Sequence, residues 1–322
     1  MRIAILDDYQ NVALDFADWN SLDAEITVFT DPFGGRQEAV EALRGFDVVV
    51  AMRERTAFPA EVLHALPELR LLVSTGQRNA AIDLDAASAA GIVVSGTGYL
   101  PHPTAEATWA LILAAARRLP AEERSVRDGG WQVPLTGEVG TALRGKTLGV
   151  LGLGRLGAQV SAIGAAFGME LIAWSRNLTA ERAAEHGATA VPFDELLTSA
   201  DVVTIHLVLS ERTRGLLGAR ELGLMKQGAL LVNTSRGPIV DEDALLAAVH
   251  RGGIRAALDV YDTEPLPVDH PLRSAPNTVL TPHIGYVSDD VYRVFYTDAV
   301  ADIAAFAAGE PIRVMNEPAG HQ

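Results

Sequence analysis

Three ionisable side chains come shortly after three late apolar runs of the chain, and their types suit chemistry on a carbonyl group. They are Arg236, Glu264 and His283. The carboxyl ends of parallel strands meet at one edge of an α/β sheet, so residues just beyond them should face one crevice. A guanidinium can clamp a carboxylate with two hydrogen bonds. A carboxylate beside an imidazole favours the charged, proton-donating form. The set predicts a substrate clamp and an acid/base pair, although each residue taken singly also fits a structural role.

A glycine-rich segment predicts a dinucleotide site. Gly152, Gly154 and Gly157 fit the pattern G-x-G-x-x-G. An apolar strand precedes them and a predicted helix, residues 158–167, follows, which is the context that the motif requires. The first glycine permits a tight turn, the second lets the backbone approach a pyrophosphate, and the third allows close packing of helix on strand. Arg155 can add a charge-assisted contact. The alternative is a tight structural turn.

The end of the next predicted strand bears on the choice between NAD and NADP. An NAD enzyme usually has an acidic residue there, about 20 positions beyond the glycines, to bind the ribose hydroxyls. This chain has Ser175 and Arg176 instead, and Glu170 lies at the wrong end of the strand. Ser175 does not repel a 2′-phosphate and Arg176 can pair with it, so the sequence favours NADP slightly over NAD. The alternative for Arg176 is a solvated loop charge.

Other signals of phosphate or metal chemistry lack their context. Residues 140–147 match the P-loop pattern G-x-x-x-x-G-K-T, but Lys146 leads into a predicted strand. A P-loop instead follows a strand and feeds a helix. The histidines other than His283 show no metal-ligand spacing, and no G-x-S-x-G elbow occurs. No metal site is predicted, and redox chemistry by a nicotinamide remains.

Composition excludes several classes of protein. The chain has 322 residues, of which 48% are hydrophobic, and 26 basic against 41 acidic residues give a formal net charge of −15. Nucleic acid and anionic membranes are therefore not expected as partners. The absence of cysteine removes disulfides and thiolate chemistry. No segment predicts a signal peptide or a membrane span, so a cytoplasmic protein is expected.

Short runs rich in β-branched residues alternate with helical stretches, which indicates a parallel α/β fold. In the first hundred residues the predicted strands are 2–6, 25–29, 47–52, 69–74 and 92–95. A long helix follows, with Thr104 as its candidate cap and Pro120 marking its end. Six further strands are predicted at 147–151, 170–174, 202–207, 230–233, 256–260 and 278–280.

The last predicted helix, residues 289–308, is too short to form a domain and is expected to pack on the first series of strands. The predicted fold is therefore α/β, with two Rossmann-like, doubly wound parallel-sheet domains, of which the first is discontinuous. Residues 1–100 plus 290–322 are expected to form a flavodoxin-like substrate domain. Residues 101–289 are expected to form the dinucleotide-binding Rossmann domain.

Four segments resemble the D-isomer-specific 2-hydroxyacid dehydrogenases, and the resemblance extends over essentially the whole chain. They are Gly152–Gly157, Asn233–Leu245, Leu258–Pro265 and Thr281–Gly285. The family is typically homodimeric, with two Rossmann-like domains and an active-site cleft between them. The resemblance implies an NAD(P)-dependent oxidoreductase that interconverts a small 2-oxo acid and its D-2-hydroxy acid, and a homodimer.

The same resemblance implies roles for individual residues. It makes Arg236 the substrate clamp, His283 the general acid/base and Glu264 the partner of the histidine. The residues expected to line the dinucleotide are Arg155, Leu156, His206, Thr213, Thr234, Asp259 and Gly285. The substrate carboxylate is expected at the loop formed by Ser74, Thr75, Gly76 and Gln77.

Two departures from the family pattern leave the identity of the 2-oxo acid open. Residues 77–79 are Gln-Arg-Asn, where the family usually has a glycine-rich run with an aspartate, and Val208 stands where proline is common. Arg53, Arg55 and Arg78 are candidates for binding a second acidic group, and a structural ion pair is the alternative for each.

An interpretation from another class remains beside the dehydrogenase. A dinucleotide-sensing binding protein, of the kind that the C-terminal-binding corepressors represent, can use the same fold without significant turnover. The joint presence of Arg236, Glu264 and His283 argues against it.

Overall fold

The computed structural model describes residues 1–132 and 139–317. The chain divides into two compact units. The first comprises Met1–Leu100 and the carboxyl-terminal segment from Val287, and the second comprises Pro101–Tyr286. Each contains one parallel sheet, which confirms the predicted fold class. The predicted roles of residues 1–100 plus 290–322 and of 101–289 stay predictions at this point.

A five-stranded sheet forms the first unit. Its strands are β1 (Arg2–Ile5), β2 (Glu25–Val28), β3 (Val48–Ala51), β4 (Leu71–Ser74) and β5 (Val93–Gly96), in the order β2-β1-β3-β4-β5. Its connecting helices are α1 (Arg36–Leu43), α2 (Ala60–His64) and α3 (Leu84–Ala89). Strands β3, β4 and β5 are buried along their whole length, as in parallel sheets with both faces covered. The strand order is that of flavodoxin-like sheets, with a switch point between β1 and β3.

A seven-stranded sheet forms the second unit. Its helices are α4 (His102–Ala116), α5 (Leu119–Arg127), α6 (Arg155–Ala166), α7 (Ala180–Ala184), α8 (Phe193–Ser199), α9 (Ala219–Leu224) and α10 (Glu242–His250). Its strands are β6 (Thr147–Leu151), β7 (Glu170–Trp174), β8 (Thr189–Ala190), β9 (Val202–Ile205), β10 (Ala229–Asn233), β11 (Ile254–Leu258) and β12 (Thr278–Leu280). The order β12-β11-β10-β9-β6-β7-β8 puts the Rossmann switch point between β6 and β9. The sequence predicted six of these strands and missed β8, whose two residues are too few to form a pattern.

The predicted single helix from Thr104 to Leu119 is wrong at both ends. The helix α4 begins at His102, and Thr104 lies inside its first turn. Arg118 adopts a left-handed backbone with φ 57°, and α5 then begins with Pro120 in its first turn. A proline is tolerated there because the first N–H groups of a helix have no partner within it. Pro120 therefore starts a helix where the sequence suggested an end.

The last helix, α11 (Asp289–Ala307), belongs to the first unit, which makes that unit discontinuous as predicted. Residues 312–316 follow it and run antiparallel along β5. The backbone N–H of Gly96 donates to the carbonyl of Arg313 at 3.0 Å, and that of Met315 donates to the carbonyl of Val94 at 2.7 Å. No helix within residues 1–132 and 139–317 combines the length and the apolar character needed to cross a bilayer.

Candidate active site

The glycine fingerprint forms the tight turn between β6 and α6. Gly152 has φ +99°, and a Cβ there would lie 2.5 Å from the carbonyl oxygen of His206. A Cβ at Gly157 would lie 2.2 Å from the carbonyl oxygen of Gly152. A Cβ at Gly154, in contrast, would meet nothing within 4 Å. The outer glycines are thus required by the turn itself, whereas Gly154 leaves open space at the start of α6, where N–H groups can receive a phosphate.

The residues that bear on the type of dinucleotide lie beside this turn. The backbone N–H of Leu153 donates to Oγ of Ser175 at 3.0 Å, so the hydroxyl braces the glycine loop. Arg176 and Arg155 are both exposed, and Leu156 is half-buried. The strand β7 therefore ends in a hydroxyl and a cation, with no carboxylate among residues 174–177.

The predicted cofactor residues after β9 differ in their surroundings. His206 contacts Oγ1 of Thr204 through Nε2 at 2.9 Å. Its Nδ1 is buried and has no hydrogen-bond partner among the described residues. Burial lowers the pKa of His206 to about 3, so the ring is neutral at physiological pH. Thr213 uses its hydroxyl within its own loop, where it donates to the carbonyl of Val208 at 2.7 Å.

Glu264 and His283 are in direct contact. Nδ1 of His283 lies 2.5 Å from Oε2 of Glu264, and the other carboxylate oxygen accepts the backbone N–H of Tyr261 at 2.9 Å. His283 adopts a left-handed backbone with φ 55°. The side chains of His283 and Glu264 are 24% and 33% exposed, so the pair remains open to a small ligand.

Asp259 holds the loop that carries this histidine. Its carboxylate accepts hydrogen bonds from Oγ1 of Thr281 at 2.6 Å, from the N–H of Ile284 at 2.9 Å and from the N–H of Gly285 at 2.7 Å. Burial raises the pKa of the Asp259 carboxyl, and these hydrogen bonds oppose the rise. The resemblance suggested only that Asp259 and Gly285 line the dinucleotide. Their mutual bond gives both a second role, since it fixes the turn around His283.

Arg236 lies on the loop after β10. The side chain is half-buried, and one of its Nη1 hydrogens goes to the carbonyl of Ser235 at 2.7 Å. Asn233 braces the turn by donating from Nδ2 to the carbonyl of Arg236 at 2.9 Å. Asp241 caps α10 by accepting the N–H of Ala244 at 2.8 Å. Arg236 is thereby presented from a rigid turn.

Thr234, another predicted cofactor residue, is tied to a helix that the sequence did not connect with the site. Its Oγ1 lies 2.8 Å from Oγ1 of Thr108, and both side chains are buried. Thr108 lies on α4 and also donates to the carbonyl of Thr104 at 2.7 Å. A threonine inside an alanine- and leucine-rich helix was the only signal of this link in the sequence.

The predicted substrate loop of the first unit is built largely by its own polar side chains. Ser74 and Thr75 are fully buried. Oγ1 of Thr75 accepts the N–H of Arg53 at 2.8 Å, and the N–H of Gly76 donates to Oγ1 of Thr97 at 2.7 Å. The side chains of Ser74 and Thr75 therefore shape the loop, and any contact between them and a substrate stays a prediction.

Asn79, one of the residues that depart from the family pattern, braces this loop with its side chain. Its Nδ2 donates to the carbonyl of Arg53 at 2.6 Å and to Oγ of Ser74 at 3.1 Å. The side chains that the loop leaves exposed are those of Gln77 and Arg78.

The two arginines after β3 both have structural contacts. Arg53 donates to the carbonyl of Thr75 at 2.9 Å, and its guanidinium lies 5.8 Å from the centre of the Tyr99 ring. Arg55 donates to the carbonyl of Asp7 at 2.6 Å and lies 4.3 Å from the centre of the Tyr9 ring. The ring contacts are typical of cation–π interactions. Recognition of a second acidic group by these arginines stays a prediction.

The P-loop pattern has the wrong surroundings, as its position suggested. Lys146 directly precedes β6, and the N–H of Thr147 donates to Asp201 at 2.9 Å. Within residues 1–132 and 139–317, no cluster of three or more histidine or carboxylate side chains is arranged to hold a metal ion.

A sheet with the Rossmann strand order, a glycine turn at its switch point and a carboxylate–histidine pair beyond its later strands are features expected of a dinucleotide-dependent oxidoreductase. Residues 109–285 match the family described as D-isomer specific 2-hydroxyacid dehydrogenase, NAD binding domain. The chain therefore belongs to the D-isomer specific 2-hydroxyacid dehydrogenase family, which confirms the resemblance seen in its sequence motifs.

Curated relatives and solved structures agree with this assignment. A glyoxylate reductase from Aeropyrum pernix is 44% identical over 264 residues, which cover 80% of this chain and 79% of the relative. A D-3-phosphoglycerate dehydrogenase from Archaeoglobus fulgidus is 36% identical over 97% of this chain, which spans 58% of that longer protein. The crystal structure of a phosphoglycerate oxidoreductase from Vibrio cholerae superposes with a TM-score of 0.92 at 36% identity, covering 96% of this chain and 99% of that one.

Proposed function

We propose that this protein interconverts a small 2-oxo acid and its D-2-hydroxy acid with NAD(P) as the redox partner. The observation that carries the proposal is the 2.5 Å contact between His283 and Glu264, at the edge of the sheet that bears the glycine fingerprint. His283 also lies on a left-handed turn that Asp259 holds through the backbone N–H of Ile284, which fixes the position of the pair.

His283 serves as the general acid in reduction and as the general base in oxidation. Its Nδ1 is engaged by Glu264, so Nε2 is the nitrogen that gives or takes the proton. The adjacent carboxylate stabilises the charged imidazolium, which must donate when the carbonyl oxygen becomes an alkoxide. Glu264 also holds the ring in one orientation, because its own position is fixed by the N–H of Tyr261.

Arg236 orients the substrate. Its planar guanidinium suits two-point binding of a carboxylate, and the braced turn on which it lies limits the entropy lost on binding. When bound, the dinucleotide supplies the hydride in reduction and accepts it in oxidation. Arg236 polarises the carbonyl while Nε2 of His283 delivers the proton to its oxygen.

The residues that would hold the dinucleotide follow from the same sheet edge. Gly152, Gly154 and Gly157 leave room for the pyrophosphate at the start of α6. We assign to the remaining contacts the residues Arg155, Leu156, Ser175, Arg176, His206, Thr213, Thr234, Asp259 and Gly285. The open space at Gly154 and Nδ1 of His206, which has no hydrogen-bond partner within residues 1–132 and 139–317, fit a ligand with phosphate and polar ring groups.

We propose a preference for NADP over NAD. The strand β7 ends in Ser175, whose hydroxyl already faces the glycine loop, and in the exposed cation Arg176. A 2′-phosphate beside these groups meets no repelling carboxylate and gains an arginine partner.

The substrate carboxylate is assigned to the loop from Ser74 to Gln77, with Arg53 beside it. The relatives that act on glyoxylate and on phosphoglycerate indicate which acids to test first. The resemblance also implies a homodimer, and sedimentation velocity at micromolar concentration is expected to give twice the 34.2 kDa mass of one chain.

The test is dinucleotide consumption by the purified protein, with NADPH and NADH in parallel. The panel comprises glyoxylate, hydroxypyruvate, pyruvate, 2-oxoglutarate and bulkier aromatic 2-oxo acids, with 3-phosphoglycerate for the oxidative direction. Turnover of at least one of them is expected. Binding of dinucleotide without turnover of any panel member would contradict the proposal.

His283→Ala tests the assigned chemistry. The loss of general acid catalysis is expected to lower kcat by about 10² to 10⁴-fold, while dinucleotide binding is retained. His186→Ala, which removes an exposed histidine of the same unit, is the matched control and should behave as the unmodified protein. A His283→Ala variant that keeps its kcat would show that the assignment is wrong.

A further inference from the structure

Gly237, the residue after Arg236, lies against the backbone of another loop. A Cβ at Gly237 would lie 2.1 Å from the carbonyl carbon of Tyr261, 2.3 Å from its oxygen and 2.6 Å from the nitrogen of Asp262. Contacts of a Cβ under 3.0 Å are essentially never observed. Gly237 has no positive φ, so the absence of a side chain here meets a need for space rather than for an unusual backbone.

Tyr261, whose carbonyl group lies against Gly237, is hydrogen-bonded to Glu264 and to the turn that carries His283. The N–H of Tyr261 donates to Oε1 of Glu264 at 2.9 Å. Its phenol donates to the carbonyl of Thr281 at 2.9 Å, two residues before His283. Tyr261 is only 7% exposed, and burial together with the nearby carboxylates of Asp259 and Glu264 raises the pKa of its phenol, which therefore remains a donor.

On the side away from Tyr261, hydrogen bonds hold the turn that contains Gly237, so it cannot move away without breaking them. The carbonyls of Pro238 and Ile239 accept the N–H groups of Gly215 at 2.8 Å and of Leu217 at 3.1 Å. The N–H of Asp241 donates back to the carbonyl of Leu217 at 3.0 Å. A methyl group at position 237 would therefore push on Tyr261 rather than displace its own turn.

We propose that Gly237 is a positioning residue, which sets the distance between the Arg236 turn and the Glu264–His283 pair through the backbone of Tyr261. The inference rests on the proposed roles of Arg236, Glu264 and His283. The close contact of Gly237 with the backbone of Tyr261 thus fixes the position of the substrate clamp relative to the proton donor.

The experiment compares Gly237→Ala with Gly223→Ala. The second variant makes the same change on α9, where a Cβ meets nothing within 4 Å, and is expected to match the unmodified protein. Gly237→Ala is expected to lower kcat for reduction by about 10 to 100-fold, since small misplacements of reacting groups have effects of this size. The Kd for the dinucleotide should change less than twofold, because the glycine fingerprint is untouched.

A second variant and a measurement without substrate test the positioning separately from turnover. Tyr261→Phe removes only the bonds of the phenol to the carbonyls of Thr281 and Leu258, and a smaller loss of kcat in the same direction is expected. The low-field proton resonance of the His283–Glu264 hydrogen bond, assigned by its absence in His283→Ala, should shift or disappear in Gly237→Ala. This signal does not depend on turnover, so it tests the positioning even where His283→Ala disproves the proposed chemistry. An unchanged resonance in Gly237→Ala, or losses of kcat and dinucleotide affinity that merely follow the folded fraction, would overturn the inference.

Discussion

The carboxylate of Asp259 accepts the backbone N–H of Gly285 at 2.7 Å, and a Cβ on that glycine would lie 2.9 Å from the same oxygen. The turn from residue 281 to 285 is therefore wrapped around one buried carboxylate. His283 is the left-handed residue in the middle of this turn. The geometry of the acid/base pair therefore depends on the side chain of Asp259, which bonds to the turn and not to Glu264.

Asp259→Asn should impair both stability and turnover. The variant keeps the shape of the side chain but sets an amide NH2 against backbone N–H or hydroxyl donors. Leaving such a buried group unsatisfied costs about 1–3 kcal/mol, and loosening the turn around His283 should lower kcat by at least about tenfold. Thermal unfolding and steady-state kinetics measure the two effects. Asp269→Asn, at an exposed position, is the control, and equal behaviour of the two variants would contradict the prediction.

Glu264→Gln should slow reduction. Without the carboxylate, the His283 ring loses its negatively charged partner at Nδ1, so proton transfer through Nε2 becomes less effective. A drop in kcat of about 10 to 100-fold at neutral pH is expected. The matched control is Glu242→Gln, which breaks the 2.9 Å contact with His270 in the same unit. Steady-state kinetics decide, and a kcat of Glu264→Gln equal to that of the control would count against the pairing.

The three fingerprint glycines should respond differently to alanine. Gly157→Ala forces a Cβ to within 2.2 Å of a carbonyl oxygen, so the midpoint of thermal unfolding should fall by several degrees. Gly154→Ala meets no atom within 4 Å and should leave the unfolding midpoint unchanged. It should nevertheless weaken dinucleotide binding by about tenfold or more, because its methyl group takes the space of the pyrophosphate. Unimpaired binding by Gly154→Ala would show that the phosphates lie elsewhere.

Ser175→Asp should move the cofactor preference toward NADH. An aspartate keeps an acceptor for the N–H of Leu153, so the glycine loop stays braced, and it adds a charge that repels a 2′-phosphate and binds ribose hydroxyls. The ratio of kcat/KM for NADPH to that for NADH should fall by at least about tenfold, equivalent to about 1.4 kcal/mol. Arg176→Ala should lower only the value for NADPH, whereas Arg182→Ala, at an exposed position on α7, should change neither. A ratio that stays constant in Ser175→Asp would remove the basis for the NADP assignment.

His206 should make the free energy of unfolding decrease as the pH falls. Its pKa is lowered to about 3 in the fold against about 6.5 in an unfolded chain, so the unfolded state binds the extra proton as the pH falls through this window. The contribution of His206 to stability is thus present above about pH 6.5 and is lost on acidification, by about 1–2 kcal/mol between pH 7 and pH 5. Urea unfolding of the unmodified protein and of His206→Gln at both pH values measures it. The stability difference between the two should shrink at pH 5, and a constant difference would contradict the prediction.

The sequence carried most of the fold because its strands are short, apolar and bounded by turn residues. The strands of both sheets were predicted to within a few residues, apart from β8. The glycine fingerprint was recognisable because only one of two phosphate-binding patterns had a strand before it and a helix after it. Glu264 and His283 could be placed at one edge since parallel strands end together.

The features that the sequence did not predict depend on contacts between segments that are far apart in the chain. The bonds of Asp259 to residues 284 and 285 require a left-handed His283, and nothing in the pattern predicts that conformation. The burial of Ser74 and Thr75 likewise became visible only with the positions of Arg53 and Asn79. Pro120 was misplaced because a proline that ends one helix and a proline that starts the next look alike in sequence.

The antiparallel pairing of residues 312–316 with β5 has a consequence for biosynthesis. The residues of the second unit form one uninterrupted stretch, so they can fold as soon as they leave the ribosome. Residues 1–100 of the first unit are translated earlier, yet the edge of their sheet stays unpaired until more than two hundred further residues have been synthesised, since Val94 pairs with Met315. The part of the protein that emerges first is therefore completed last, and during that interval β5 presents an open strand edge that other chains can bind.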